Sequence, residues 1–394
     1  MTRRTTAGAD NLPQSGDRRS PAALAADPVF IGTYARLAQR QSFETIVLGD
    51  SIDAGSNDGW WDQLCVRSNQ RMTGLRNSGI GGQATSVFMQ RIQADVIAWA
   101  PGLCVLGGPT NDHSAGSGIT PAQTRANYDS MLATLRAAGI DVAVRNCPPV
   151  DVAGGVANTI AARRALVEDH NAWLDGWGKL NGVHVFDIWT PLVDPATGGF
   201  LSGYASDGVH PVALGIDAAV EYLLPRIPSR FVGSVLLPSR QGQSGNLFTN
   251  GLFTIDANAN GQADNWSFVN TAGVTTTIVA GTGDEKGSWQ RVQTTTAQQT
   301  QFYQDVASTA GRVYEITGRY KTTGARIMAR ARFTAASSPR AGDQILDGAG
   351  NARSGTFRFK VVASGSTVGV LIGLTAATAS ADFSASQVMI RDIT

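Results

Sequence analysis

Cysteine is scarce: Cys65, Cys104 and Cys147 are all that the chain has, and all fall in its first half. So odd and sparse a set is no disulfide framework. Cys65 and Cys104 stand in apolar contexts and read as small buried hydrophobes. Charge of one sign is lacking too, since 32 Lys and Arg against 31 Asp and Glu leave a net +1. Nothing in that balance suggests a nucleic-acid binder or a polybasic membrane surface. No apolar run approaches the ~20 residues that span a bilayer. The opening MTRRTTAGADNLPQSGDRRSP is polar, with no apolar segment after its arginines, so no signal peptide is read there. Residues 1–28 are expected to form a disordered leader. Histidine is rare as well, with only His113, His170, His184 and His210.

What is present suits two domains: 394 residues, of which 42% are hydrophobic, can bury sizeable cores. From about Pro28 to Ile227, short apolar runs alternate with helical patterns. TIVLG, PGLCVLGG (Pro101–Gly108), IDVAVRNC (Ile140–Cys147) and VHVFDIW (Val183–Trp189) read as strands. Between them, Thr120 is an N-cap candidate, Pro121 fits the first helical position and Gly139 can close the helix. Tyr128, Met131, Leu132 and Leu135 would form its buried face. Further helices fit Thr159–Trp177 and Ala213–Leu224. Such alternation implies a mostly parallel sheet covered by helices. After the Pro/Gly/Ser-rich stretch RIPSRFVGSVLLPSRQGQSGN the texture changes. RVYEITGRYKT, SGTFRFKVVAS, STVGVLIGL and SQVMIRDI read as strands separated by turns, which suggests an all-β sandwich of roughly 145 residues.

The candidate chemistry lies in the first half. Ile46-Val47-Leu48 run into Gly49-Asp50-Ser51, a serine at the end of an apolar strand. A serine hydroxyl needs a base, usually a histidine held in one tautomer by a carboxylate. His210 stands in SDGVHPVALG, three residues after Asp207, so one turn can present both side chains to the same point. His170 and His184 read as structural or solvated. NSGIGGQAT (Asn77–Thr85) allows a backbone N–H to approach a substrate closely; a glycine-rich surface turn is the plain alternative. LGGPTND (Leu106–Asp112) follows a strand and offers the Asn111 amide to an oxyanion, or is simply a turn. Asp50 is expected to hydrogen-bond local backbone. Asp53 either shapes the pocket or caps the next helix. Trp60 and Trp61 read as core at a helix start, or as an aromatic wall near a sugar. No G-x-S-x-G elbow is present, which removes support for an α/β-hydrolase, and no H-E-x-x-H for a zinc protease.

Four blocks in this order, Gly49-Asp50-Ser51, the glycine segment ending in Gly82, Gly108-Pro109-Thr110-Asn111-Asp112, and Asp207-Gly208-Val209-His210, resemble the SGNH, or GDSL-like, serine hydrolases. The resemblance spans about 200 residues. It implies a three-layer α/β/α, flavodoxin-like domain at residues 29–230. It also implies Ser51 as nucleophile, His210 as general base and Asp207 as its orienting acid. The Ser51 and Gly82 backbone N–H groups and the Asn111 amide would form the oxyanion hole. The chemistry would need no cofactor. Ile52-Asp53 departs from the small polar residue that the family often has after the serine.

Residues 231–246 are expected to be a linker, and 247–394 the all-β domain. NLFTNGLFTIDANANGQADNWSF (Asn246–Phe268) resembles the opening strand of carbohydrate-binding-module-like jelly rolls. Within it, Asp256, Asn258, Asn260 and Asp264 around Gly261 read as an oxygen-rich, structural calcium loop or as an Asn/Gly-rich hairpin turn. Trp266, Trp289, Phe302, Tyr303 and Tyr314 are aromatic candidates for sugar stacking, most of them expected in the core.

The combined expectation is a serine esterase acting on short acyl, above all O-acetyl, esters of a glycan or polysaccharide, with no nucleic-acid partner. A lipid esterase or thioesterase is the runner-up. The rival class is a phage tail-fibre or tailspike-type protein that binds surface glycan, a homo-oligomer and a trimer if virion-associated. The protein is expected to act outside the cell, virion-associated under the rival reading, and failing that to reside in the cytoplasm. A chain ending near Arg230 is expected to keep activity on small esters.

Overall fold

The computed structural model describes residues 44–54, 59–114, 118–153, 159–231, 235–269, 272–297, 300–323, 327–333, 344–345, 352–374 and 380–394. The expected leader, residues 1–28, lies outside the described residues, as do 232–234 of the expected linker.

Thr45–Leu48 fall in strand β1, Glu44–Gly49. Ile46, Val47 and Leu48 are all fully buried, yet they serve different faces of the sheet, because successive strand side chains alternate. Ile46 and Leu48 join a cluster with Phe88, Tyr128, Leu132 and Trp177. Val47 joins another with Trp61, Leu64, Phe186 and Val220. The other strands are β2 (Thr73–Gly79), β3 (Leu103–Leu106), β4 (Asp141–Arg145) and β5 (His184–Phe186). All pair in parallel, in the order β2-β1-β3-β4-β5. Helices α1 (Trp60–Arg67), α2 (Thr85–Asp95), α3 (Pro121–Ala137), α4 (Ile160–Asn181) and α5 (Ala213–Leu223) cover the two faces. This is the flavodoxin-like order, in which ligands lie beyond the strand carboxyl ends beside β1 and β3.

Local chemistry explains the helix limits. Thr120 and Gln123 cap each other ahead of α3, with Pro121 in its first turn, and Tyr128, Met131, Leu132 and Leu135 form the buried face. α4 continues past Trp177 to Asn181, where left-handed Gly182 ends it. Two elements had no clear sequence signal. β2, TGLRNSG, is a half-buried edge strand rich in polar and small residues. α2 buries only Thr85, Phe88 and Ile92.

The second half forms a separate β domain. Its strands are β6 (Ser267–Val269), β7 (Val274–Ala280), β8 (Ser288–Thr294), β9 (Gln301–Ala307), β10 (Val313–Thr323), β11 (Ile327–Phe333), β12 (Gln344–Ile345), β13 (Arg353–Val362), β14 (Thr367–Leu374) and β15 (Ala381–Asp392). They make two antiparallel sheets, ordered β13-β10-β15-β8-β7 and β12-β11-β14-β9-β6. Phe302, Ile316, Tyr320, Phe357, Ile372 and Phe383 meet between them in one core. Trp266, Trp289, Phe302 and Tyr314 are buried, as expected of most of the aromatic set. Tyr303 is half-buried, with the Arg332 guanidinium 3.5 Å from its ring centre.

The halves are closely joined. Val66 of α1 is fully buried within the sandwich core. Buried Gln70 donates from Nε2 to the Thr356 carbonyl at 3.0 Å. Arg358 donates to Thr73 Oγ1 at 3.1 Å and pairs with Glu44 at 3.4 Å, and Lys360 pairs with the same Glu44. Past residue 234, the expected linker lies against the sandwich: the Leu236 and Pro238 carbonyls accept from Thr317 Oγ1 at 2.8 Å and Gln387 Nε2 at 2.9 Å.

Candidate active site

Ser51 sits in a tight turn leaving the carboxyl end of β1. Asp50 Oδ1 accepts from the Ile52 amide at 2.9 Å, and the Asp50 carbonyl accepts from the Asp53 and Ala54 amides at 3.2 and 2.9 Å. This is the local backbone bonding expected of Asp50. Gly79 lets the glycine loop close on the turn. A Cβ there would lie 2.4 Å from the Ala54 nitrogen, a separation that no side chain tolerates.

The glycine loop follows β2. Gly82 is exposed, with φ of +76°, a conformation natural to glycine. A Cβ at neighbouring Gly81 would stand 3.7 Å from Ser51 Cβ. Asn111 follows β3 and is half-buried; its amide donates to the Gln83 carbonyl at 3.0 Å, which joins the third block to the second. Buried Asp112 reinforces the link. Its Oδ1 accepts from the Thr85 amide at 2.8 Å, and its Oδ2 from the Thr85 and Thr124 hydroxyls at 2.5 and 2.7 Å. The start of α2 and the first turn of α3 are thereby tied to one carboxylate.

His210 lies on the turn before α5. Its Nε2 is 2.8 Å from Ser51 Oγ, and its Nδ1 is 2.6 Å from Asp207 Oδ2. Asp207 Oδ1 accepts from the Val209 and His210 amides at 2.9 and 2.8 Å. Its slight burial would raise the Asp207 carboxyl, but these amides and the imidazole outweigh that and hold it down at about 2. Asp207 is therefore ionised near neutral pH and accepts from Nδ1–H, and in the neutral imidazole this leaves Nε2 to face the serine as an acceptor.

A cavity of about 310 Å³ opens beside Ser51 and His210. Ile52, Trp60, Ile188, Leu192, Val212 and Ile216 give it apolar walls. Trp60 is thus core and wall at once, being only 2% exposed.

Sequence reasoning missed Arg145. This arginine ends β4, fully buried, and Asp50 and Asp53 are fully buried beside it. Arg145 Nε and Nη2 reach the two Asp53 oxygens at 2.8 and 2.7 Å, and Nη2 reaches Asp50 Oδ1 at 3.1 Å. Trp60 Nε1 also donates to Asp53 Oδ1, at 2.9 Å. Asp53 therefore pairs with a buried cation rather than capping a helix or lining the cavity. Burial pushes Asp50 up to about 6 against the pull of Arg145, with Asp53 adding to the rise. The available signal was a charge amid an apolar strand motif, IDVAVRNC.

The remaining candidates lie elsewhere. His113 and His170 are buried with ring centres 5.5 Å apart, and burial pushes the His113 imidazole down to about 4. In the β domain, the Asp256 oxygens accept from the Asn260 and Gly261 amides, Asn258 from the Asn260 amide, Asn260 from the Gln262 amide and Asp264 from the Ala257 amide. These oxygens serve as turn acceptors. Among the described residues, no group of three or more His, Cys, Asp and Glu side chains is placed to hold a metal ion. No helix among them is long and apolar enough to cross a membrane.

A parallel sheet in this order, with a hydroxyl, an imidazole and a carboxylate in line at its carboxyl edge, has the arrangement that serine hydrolases use. Residues 47–218 match the model of the GDSL-like Lipase/Acylhydrolase family, and the chain carries a domain of that family. Similar solved structures include a GDSL-like lipase from Bacteroides thetaiotaomicron, at 22% identity and TM-score 0.39, covering 49% of this chain and 95% of that one. A lipase/acylhydrolase from Enterococcus faecalis shares 24% identity at TM-score 0.37, over 47% of this chain and 97% of that one. An acetyl xylan esterase shares 17% at TM-score 0.39, over 47% of this chain and all (100%) of that one. No curated protein matches the chain significantly.

Proposed function

We propose that this protein is a serine carboxylic-ester hydrolase working through an acyl-enzyme. His210 Nε2 takes the Ser51 proton as Oγ attacks the ester carbonyl, and Asp207 stabilises the imidazolium. The Ser51 and Gly82 backbone N–H groups and the Asn111 amide stabilise the oxyanion. The C–O bond to the alcohol then breaks, with His210 returning the proton to the leaving oxygen. Water, deprotonated by His210, attacks the acyl-enzyme and releases the acid and Ser51. The observation that carries this reading is the unbroken chain from Asp207 through His210 to Ser51, at 2.6 and 2.8 Å.

The substrate we propose is an ester with a short to medium apolar chain. Its support is the cavity of about 310 Å³ beside Ser51, which has more room than an acetyl methyl fills and is walled on several sides by apolar side chains. An O-acetylated glycan is a second reading, favoured by the β-sandwich fused to the hydrolase domain. Aryl acetate, butyrate and hexanoate, together with acetylated polysaccharides, distinguish the two through acid release. The first reading expects kcat/KM to rise from acetate to hexanoate; the second expects release from the polymer to dominate. Ser51→Ala is expected to abolish hydrolysis and labelling by a fluorophosphonate without altering the fold. Undiminished turnover in that variant would remove Ser51 as nucleophile.

A further inference from the structure

Two helices wall the cavity: α1 supplies Trp60, and α5 supplies Ala213, Ile216 and Ala219. α1 follows the serine turn and binds it through Trp60 and Asp53, and α5 starts just after His210. The distance between α1 and α5 thus governs the cavity width. At the end of α1 far from Trp60, an ion-pair lock joins these helices. Arg67 at the end of α1 reaches Asp217 at 2.6 Å and Glu221 at 3.3 Å, two carboxylates one turn apart on α5.

The lock has another member from the other domain. Arg353 opens β13 of the sandwich, and its Nη2 reaches Asp217 Oδ1 at 2.7 Å and Glu221 Oε1 at 3.3 Å. The Arg67 side chain is 3% exposed, that of Asp217 13% and that of Arg353 21%, so solvent screens the two Asp217 pairs weakly, whereas Glu221, at 50%, holds its two pairs in solvent. The bonds of Gln70 and Arg358 fix the sandwich to the end of α1 and the starts of β1 and β2. Arg353 carries that docking onto α5.

Resting on the serine-hydrolase reading above, we propose that Arg353 is a positioning residue which sets the width of the ester-binding cavity by pinning α5 to α1 from the sandwich. The β domain then takes part in small-ester selection, and a chain cut near Arg230 loses that control.

The test uses the full chain. Arg353→Ala leaves Arg67 on both carboxylates, so the fold is retained while α5 is freed on its outer edge. KM for aryl hexanoate is expected to rise about three- to tenfold, with kcat for aryl acetate within about twofold of wild type. Arg353→Lys is expected to recover most of the hexanoate affinity. Hydrogen exchange of the α5 amides is expected to quicken in Arg353→Ala, and this readout needs no turnover. Arg353→Gln serves if the alanine variant fails to fold. A purely structural role lowers Tm and the fluorophosphonate-titrated active fraction alike for every ester, leaving the hexanoate-to-acetate ratio unchanged. That ratio at its wild-type value, or unaltered α5 exchange, overturns the proposal. Absence of ester hydrolysis and of labelling in the wild type counts instead against the serine-hydrolase reading, and the exchange measurement still decides the role of Arg353.

Discussion

Arg145 holds the serine turn from below, one cation facing two buried carboxylates. Removing it strands that negative charge in the core, which costs about 3–5 kcal/mol. Arg145→Met is therefore expected to lower the unfolding free energy by that amount in urea titrations, and to slow fluorophosphonate labelling of Ser51. Arg145→Lys keeps the charge but loses the two-pronged grip on Asp53, so it should be stabler than Met and still label slowly. At this scale the Ser51–His210–Asp207 contacts were legible because the proposed chemistry demands particular residue types: a serine after an apolar strand, and a histidine three residues beyond an aspartate. Arg145 was not legible, because a charge within an apolar run does not say that its partners lie some 90 positions earlier. The fate of Asp53 was hidden for the same reason.

Among the elements, β2 shows best what the sequence conceals. Its backbone places the glycine loop beside Ser51, yet TGLRNSG has neither an apolar run nor clean alternation, because an edge strand needs neither. β1, β3 and β4 were readable since burial on both faces demands a run of apolar residues at their centres. Gly79, the last residue of β2, tests the loop placement. Its close approach to the Ala54 nitrogen leaves no space for a methyl group. Gly79→Ala is expected to push the glycine loop away from the serine turn and lower kcat by about a hundredfold. Circular dichroism should remain close to wild type, and steady-state assays on aryl butyrate read the loss.

Over the whole molecule, two domains were legible from the change in residue texture, but their union was not. Val66 is an ordinary helix residue in sequence, and only the assembled sandwich gives it a core to enter. Buried histidines also give the molecule a sign to its acid response. The His113 imidazole is pushed down to about 4 from an ordinary 6.5. As pH falls from 6.5 towards 4, the unfolded chain takes up this proton and the folded one does not, so stability drains away across that window. His113→Gln lacks this loss. Its urea midpoint relative to wild type is expected to rise steadily between pH 7 and pH 4.5, and a constant difference would assign the acid response to other groups.

The sheet order has a consequence for synthesis. β15 lies between β10 and β8, so both await a neighbour translated more than fifty positions later than either. Until then the nascent chain carries two open sheet edges and a helix whose Val66 has no shelter. A ribosome stalled shortly before residue 381 is therefore expected to hold a sticky intermediate, and cellular yield should depend on how quickly β15 emerges and on the holdases that guard the open edges meanwhile.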